Sequence, residues 1–228
     1  FCEGIYINLI INIKIVIIIK KIMDELTFIF KSWKTCLEIA QDRGYILDDA
    51  YSDIQIPDFK HMLSNNSSNI DIICNNNVHN SSSVLYIKFI LGSRIKPSTI
   101  KEIYDDICEN KNESEEIELI IVLKGKPNNS ILKLQKEKAY SNIQIFWCKQ
   151  LQFNVTKHEF VPTHRKLSNE EADNILKLYS IVNKFQLPIL LRDDIVSKYY
   201  NYKHGDIIEI TNTLTSQNSN YKFYRCVR

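Results

Sequence analysis

Apolar residues spaced three and four positions apart predict a helix near the start of the chain. The spacing holds from Leu26 to Ala40 and predicts a helix over Asp24–Arg43. Gly44 follows at once, and glycine is the residue that most often ends a helix in the left-handed conformation. Pro57 is suited to the first turn of a second, shorter helix.

Three short runs of continuous apolar residues predict buried strands. They cover Val84–Leu91, Ile117–Leu123 and Ile143–Trp147. Apolar positions at helical spacing predict helices between them, over Ser98–Asn110 and Ser130–Lys138. Strands that alternate with helices favour α/β layers around a largely parallel sheet, in which right-handed crossovers are the rule.

A polar tract precedes these strands. Residues 64–83 are rich in asparagine and serine and predict a loop, with one apolar island at Ile70–Cys74. Asparagine and lysine are abundant along the whole chain, as an AT-rich genome would produce. Enrichment in either residue therefore says little about function.

The last third of the chain has a different pattern. Ser168 is followed three residues later by Glu171, which predicts a helix that begins with a capping box. Either aspartate of the pair 193–194 can cap a second short helix. Alternating apolar residues over Asp206–Ile210 and Tyr221–Val227 predict the two strands of a hairpin.

Charge and cysteine content exclude several classes of protein. The 228 residues include 29 Lys and Arg against 27 Asp and Glu, a net charge of +2 that argues against autonomous nucleic-acid binding. The six cysteines lie far apart and form no C-x-x-C pair, so a zinc ribbon or a redox motif is not expected. Reduced thiols in the cytosol or nucleus fit this pattern.

The first 22 residues are the most hydrophobic part of the chain. Ile5–Ile19 is shorter than a membrane span and is interrupted by two asparagines and Lys14. Basic residues follow the apolar run, whereas a signal peptide begins with them. We expect residues 1–22 to lie upstream of a natural start at Met23, and the alternative is a membrane or targeting element.

No motif for catalysis or cofactor binding is present. The phosphate-binding patterns GxGxxG and GxxxxGK[ST] are absent. A metal-dependent nuclease on such a sheet would need an acidic-x-Lys pair beside a further carboxylate. Glu118 lies on the second predicted strand, but Leu119 and Ile120 follow it, so Glu118 is expected to be a solvent-facing or edge residue.

An ordered series of motifs in the last third carries a family resemblance. It begins with His158, Glu159, Phe160, Val161, Pro162 and His164. It continues with Leu167, Ser168, Glu170, Glu171, Gln186, Leu187 and Pro188. It ends with Asp194, Val196, Tyr199, Tyr200, Lys203, Gly205, Tyr224, Arg225 and Cys226. In order and spacing this region resembles the fifth subunit shared by the eukaryotic nuclear RNA polymerases, whose C-terminal domain corresponds to the archaeal H subunit.

The N-terminal part is similar to the same family over Trp33–Cys36 and Asp42–Tyr45. The resemblance implies a two-domain α+β protein: an α/β jaw domain over residues 23–153 and a small assembly domain with a hairpin over residues 154–228. It also implies a non-catalytic subunit without cofactor, metal or small-molecule substrate. The expected partners are the largest polymerase subunit, other polymerase subunits and downstream DNA near the jaw.

Departures from the family pattern mark a divergent member. Ile195 stands where the family has proline, Lys198 replaces arginine, and Asn201 replaces a glycine. Thr213–Thr215 replaces a Ser-Glu-Thr triplet. The expected source is a large DNA virus or a cell. A viral protein is expected in the virion, the host cytoplasm or a viral factory, and a cellular one in the nucleus.

The resemblance implies a set of subunit-interface residues: His158, Pro162, His164, Gln186, Pro188, Asp194, Tyr199, Tyr200, Lys203, Gly205, Tyr224 and Arg225. Each has a structural alternative. Proline and glycine shape turns, the tyrosines fit a core as well as an interface, and the histidines fit hydrogen-bonding roles better than metal binding. Two other functions stay open: a stand-alone nuclease-like α/β enzyme and a membrane-tethered interaction protein.

Overall fold

The computed structural model describes residues 2–51, 53–65, 67–76, 83–92, 95–110, 116–135, 137–214 and 219–228, with side chains from Lys20 onward except at positions 65, 67, 138, 213, 214, 219 and 220. The chain divides into two compact units, Phe1–Phe153 and Asn154–Arg228. Each unit is described by itself below.

The first unit begins with one long helix, α1 (Cys2–Asp42). The predicted start at Asp24 is therefore wrong, because no glycine or proline lies between Ile5 and Arg43 to interrupt the helix. The predicted end is confirmed. Gly44 has a φ of 86°, and the Tyr45 amide donates to the Ala40 carbonyl at 3.0 Å, which closes the last turn.

A four-stranded sheet follows, with the strands β1 (Ile72–Asn76), β2 (Ser83–Ile90), β3 (Glu116–Leu123) and β4 (Ile143–Trp147). Its order is β1-β2-β3-β4, with β1 antiparallel to β2 and the other two pairs parallel. The helices are α2 (Ile56–Asn65), α3 (Pro97–Glu109) and α4 (Asn129–Leu134). Single 3-10 turns lie at Asp49–Tyr51, Ser67–Ile70, Lys138–Tyr140 and Cys148–Leu151. The predicted largely parallel sheet is confirmed.

Strand β1 corrects the prediction of a loop around Ile70–Cys74. Residues 72–76 pair with β2 along their whole length, and Ile46 bridges to Asn75 on the outer edge. An apolar island this short has no clear period of its own. Pairing with a buried neighbour, which the local sequence cannot show, makes it a strand. The prediction of a loop over residues 64–83 is also wrong at Ser64 and Asn65, which end α2, and at Ser67–Ile70, which form a 3-10 turn, while residues 66 and 77–82 lie outside the described residues.

The two faces of this sheet carry separate cores. On one face, alternate residues of β3 and β4 pack with the apolar sides of α3 and α4, including Leu119, Ile121 and Ile145. The other face is covered by α1. Side chains of α1 donate hydrogen bonds that hold the helix in this position. Trp33 donates from Nε1 to the Ile70 carbonyl at 3.0 Å, and Ser32 donates to the Cys148 carbonyl at 3.0 Å.

A buried charge joins α1 to the sheet. Arg43 is only 5% exposed, and its guanidinium donates to Glu118 at 3.0 Å and to Gln144 at 2.6 Å. Burial lowers the pKa of Arg43, and the Glu118 carboxylate acts in the opposite direction. The expectation that Glu118 faces solvent or an edge is therefore wrong. It lies on an inner strand, where a long-range partner neutralises it.

The second unit is built on a mixed sheet of four strands: β5 (Thr163–Lys166), β6 (Ile189–Leu190), β7 (Ile207–Leu214) and β8 (Ser219–Val227). The order is β5-β7-β8-β6, in which β7 is antiparallel to both β5 and β8, and β6 is parallel to β8. Its helices are α5 (Asn169–Leu178) and α6 (Ile195–Tyr199), with 3-10 turns at Val155–Lys157 and Lys184–Gln186.

The caps and the hairpin of this unit agree with the predictions. Ser168 accepts from the Glu171 amide at 3.2 Å and Glu171 accepts from the Ser168 amide at 2.9 Å, which is the predicted capping box. Asp194 caps α6 by accepting from the Val196 amide at 2.9 Å. Both hairpin strands are longer than predicted. The short outer strands β5 and β6 were not predicted, since two to four residues give too little alternation to detect.

The prediction for residues 1–22 stays a prediction, because the side chains before Lys20 lie outside the described part. Among the helices and side chains that are described, none forms an apolar stretch long enough to cross a membrane.

Removing the partner of the buried arginine should destabilise the first unit. We expect Glu118→Ala to lower the free energy of unfolding by about 2 kcal/mol, because it removes the carboxylate that Arg43 binds. Both tryptophans, Trp33 and Trp147, lie in this unit, so urea unfolding followed by tryptophan fluorescence reports on it.

The matched control is Glu116→Ala, an exposed position on the same strand, with an expected change of at most about 0.5 kcal/mol. Equal losses from the two variants would show that the ion pair with Arg43 does not stabilise the unit.

Candidate subunit interface

Four of the predicted interface residues lie close together on one side of the second sheet. His164 on β5 donates from Nδ1 to the Pro162 carbonyl at 2.7 Å. Burial lowers the pKa of His164, and Asp194 and Arg225 are close enough to shift that pKa in opposite directions. Arg225 in turn donates to the Ile189 carbonyl at 3.0 Å. All four side chains are half-buried, so they form a partly accessible polar surface.

The tyrosines of α6 divide between core and surface. Tyr199 is only 2% exposed, and its hydroxyl accepts from Asn154 Nδ2 at 2.7 Å. Its ring meets the half-buried Tyr200 edge to face, with 5.1 Å between centroids. Tyr199 is therefore a core residue rather than an interface residue. Lys198 is also buried, and burial lowers its pKa to about 8, partly opposed by Asp193.

The turn after α6 depends on two left-handed residues. Asn201 has a φ of 55° and Gly205 a φ of 86°. Asn201 accepts from Lys203 Nζ at 3.1 Å, and the Lys203 amide donates to Asp206 at 2.8 Å. A Cβ at Gly205 would lie 2.7 Å from Lys184 Nζ. The replacement of the family glycine by Asn201 keeps the conformation, since asparagine tolerates the left-handed region better than most residues.

Three further candidates are exposed and hold local backbone structure. His158 accepts on Nδ1 from the Phe160 amide at 3.3 Å, and Gln186 accepts from the Asn183 amide at 3.3 Å. The Pro188 carbonyl accepts from the Cys226 amide at 2.9 Å. In the described part of the chain, no three His, Cys, Asp or Glu side chains are grouped so as to hold a metal ion.

The opposite side of the sheet carries a charge network that sequence reasoning missed. Glu209 on β7 accepts from Arg165 at 3.2 Å, from Lys222 at 3.2 Å and from the predicted interface residue Tyr224 at 3.4 Å. Arg165 also binds Glu171 through two hydrogen bonds of 2.8 and 3.0 Å. The only feature of the sequence that indicated this network is the alternation of side chains along β8. Because β5 was not predicted, nothing placed Arg165 beside Glu209.

This network sets the ionisation of its central carboxylate. Burial acts to raise the pKa of Glu209, but the hydrogen bonds from Lys222 and Arg165 outweigh it, so the pKa is lowered. At Glu171 the hydrogen bond from the Ser168 amide lowers the pKa, and Arg165 adds to the effect. Both carboxylates therefore stabilise the fold in their charged form.

The fold defines an α+β protein of two units, the second of which carries half-buried polar groups on its hairpin sheet. Residues 153–227 match the family described as RNA polymerase Rpb5, C-terminal domain, and residues 23–107 match RNA polymerase Rpb5, N-terminal domain. The chain belongs to the Rpb5 family and is a non-catalytic subunit of a DNA-directed RNA polymerase.

Relatives from Arabidopsis thaliana agree with this assignment. The chain is 28% identical to DNA-directed RNA polymerase V subunit 5A over 193 residues, which are 84% of each chain. It is 26% identical to DNA-directed RNA polymerases IV and V subunit 5B over 85% of this chain and 87% of that one. It is 22% identical to DNA-directed RNA polymerase subunit 5-like protein 1 over 82% and 90%.

Neutralising the central carboxylate should change the acid sensitivity of the second unit. A lowered folded-state pKa gives stability that is present above the ordinary glutamate pKa of about 4.3 and is lost as the pH falls through the folded value. We expect Glu209→Gln to be less stable than the original protein at pH 7, and the difference to shrink as the pH falls below about 4.5. Hydrogen exchange of the β7 and β8 amides measures this. A difference that is constant with pH would contradict it.

The left-handed turn gives a second test. We expect Asn201→Ala to destabilise the second unit by about 1 kcal/mol, because alanine in this conformation suffers the steric penalty of its Cβ. Asn201→Gly is the matched comparison and should stay within about 0.5 kcal/mol of the original protein. The same hydrogen-exchange measurement applies, and equal effects of alanine and glycine would exclude the conformational explanation.

Proposed function

We propose that the second unit docks this protein on the largest subunit of its polymerase through the surface formed by Pro162, His164, Asp194 and Arg225. The observation that carries this proposal is their proximity: residues distant in sequence, each singled out by the family pattern, share one half-buried polar surface. A buried core lies beneath that surface. This favours binding because the surface loses little conformational entropy when it contacts a partner.

The charges of this surface fit a polar, hydrogen-bonding contact. It carries one carboxylate, one guanidinium and one imidazole, with Arg225 able to bind a partner carboxylate or carbonyl in two-pronged fashion. Buried groups of this kind contribute to specificity because an ill-matched partner leaves them unpaired.

The first unit is then the jaw, near downstream DNA within the assembled polymerase. The low net charge of +2 favours this arrangement over independent DNA binding. The family is that of a subunit shared by nuclear polymerases, which supports a nuclear location when the source is a cell.

Reversing the charge of Arg225 should release the protein from its polymerase. We expect tagged protein with Arg225→Glu to recover about tenfold less of the largest subunit than the original chain does, as loss of a central charged contact predicts. Native affinity purification followed by mass spectrometry measures this.

Lys133→Glu, an exposed position in the first unit, is the matched charge reversal and should leave recovery unchanged. Recovery of no polymerase subunit by the original chain would overturn the proposal. Equal recovery by Arg225→Glu would exclude this surface as the docking site.

A further inference from the structure

The end of α5 exposes a group of large apolar side chains that the family pattern did not single out. Leu178 is 72% exposed, Tyr179 56%, Val182 95% and Phe185 36%. Single exposed apolar residues are ordinary on a protein surface. Four of them within eight residues are a local concentration of exposed apolar side chains, which marks a candidate interaction site. We call these four residues the α5 turn surface.

The backbone conformation at the end of α5 causes this exposure, so the exposure does not result from fraying of the helix. Ser180 adopts a left-handed φ of 54°, and the Ile181 amide donates to the Leu176 carbonyl at 2.8 Å, which closes the helix end. Ile181 packs inward against the core of this side of the sheet. Its neighbour Val182 therefore points outward.

Ring contacts hold the remainder of the surface. Tyr179 lies 6.0 Å from the ring of Tyr224, centroid to centroid. Phe185 lies under the guanidinium of Arg228 at 5.3 Å, and Arg228 also donates to the Phe185 carbonyl. The apolar groups are thus presented by a rigid scaffold, so a partner would not have to order them.

The segment that carries this surface is basic, whereas Asp173 and Asp206 line the same groove as Lys184. From Asn174 to Arg192 the chain has no acidic residue, whereas Lys177 and Lys184 flank the apolar side chains. Both lysines are exposed, and Lys184 Nζ lies 5.7 Å from the Phe185 ring centroid. An apolar surface bordered by cations is complementary to an apolar segment bordered by carboxylates.

We propose that the α5 turn surface binds an acidic, amphipathic segment of another polymerase subunit, at a site distinct from the polar docking surface. This proposal rests on the proposed function, which supplies the polypeptide environment. A second copy of the chain is disfavoured as the occupant, because self-pairing would bring Lys177 and Lys184 against their own counterparts.

Zero-length carbodiimide coupling tests the proposal directly, because it joins a lysine only to a carboxylate in contact with it. The probe is the polymerase assembly purified under native conditions through the tagged full-length chain. We expect Lys177 or Lys184 to become joined to an Asp or Glu of one other subunit. We expect Val182→Asp to lower the yield of that product about fivefold, and Val182→Lys to lower it no more than about twofold, since lysine keeps the attraction for an acidic partner.

Ile46→Asp is the control, with aspartate placed at an apolar residue of the first unit that is 62% exposed, and should leave the yield unchanged. Equal losses from Val182→Asp and Val182→Lys would overturn the acidic partner. Products that join two copies of this chain would show that the surface binds a second copy and not another subunit.

If the isolated protein binds phosphatidylserine vesicles and Val182→Asp abolishes that binding, the surface binds a membrane and not a partner protein. Recovery of the polymerase subunits without any product from Lys177 or Lys184 would overturn this inference alone. Failure to recover the subunits would overturn the proposed function.

Discussion

The antiparallel pairing of β7 with β8 is the interaction on which the second unit depends. Its register sets Ile207 opposite Cys226 and Ile208 opposite Arg225, so the two sides of the sheet receive different residues. Ile207 and Cys226 join one core and Ile208 joins the other. A slip of β8 by one residue against β7 would turn Arg225 to the other side of the sheet, toward the core that contains Ile207. The proposed docking surface therefore depends on this register.

Polar groups fix the position of apolar elements in both units. Arg43 orients α1 on the first sheet through Glu118 and Gln144, and Glu209 ties three strands of the second sheet together through Arg165 and Lys222. Buried charge costs free energy unless it is paired with good geometry. Pairing of this kind selects one arrangement among several that would bury similar apolar area.

The second unit presents two surfaces of different chemistry. The surface around His164 and Arg225 is polar and half-buried, and it lies on one side of the sheet. The α5 turn surface is apolar with a basic border, and it belongs to the helix that covers the other side. A small subunit that contacts partners from two sides acts as a connector, which agrees with a non-catalytic role in a multisubunit enzyme.

Features that depend on neighbouring residues were predictable from the amino-acid sequence. It predicted the end of α1 at Gly44, the capping box of Ser168, the strands β2, β3 and β4 of the first sheet and the hairpin, since caps, turns and apolar periods depend on residues a few positions apart. It also carried the family resemblance.

The tertiary structure alone decided β1, β5 and β6, the pairing of Arg43 with Glu118, and which of the predicted interface residues share a surface. Each of these depends on groups that are distant in sequence and that meet only when strands pair in register. No local pattern encodes such a meeting.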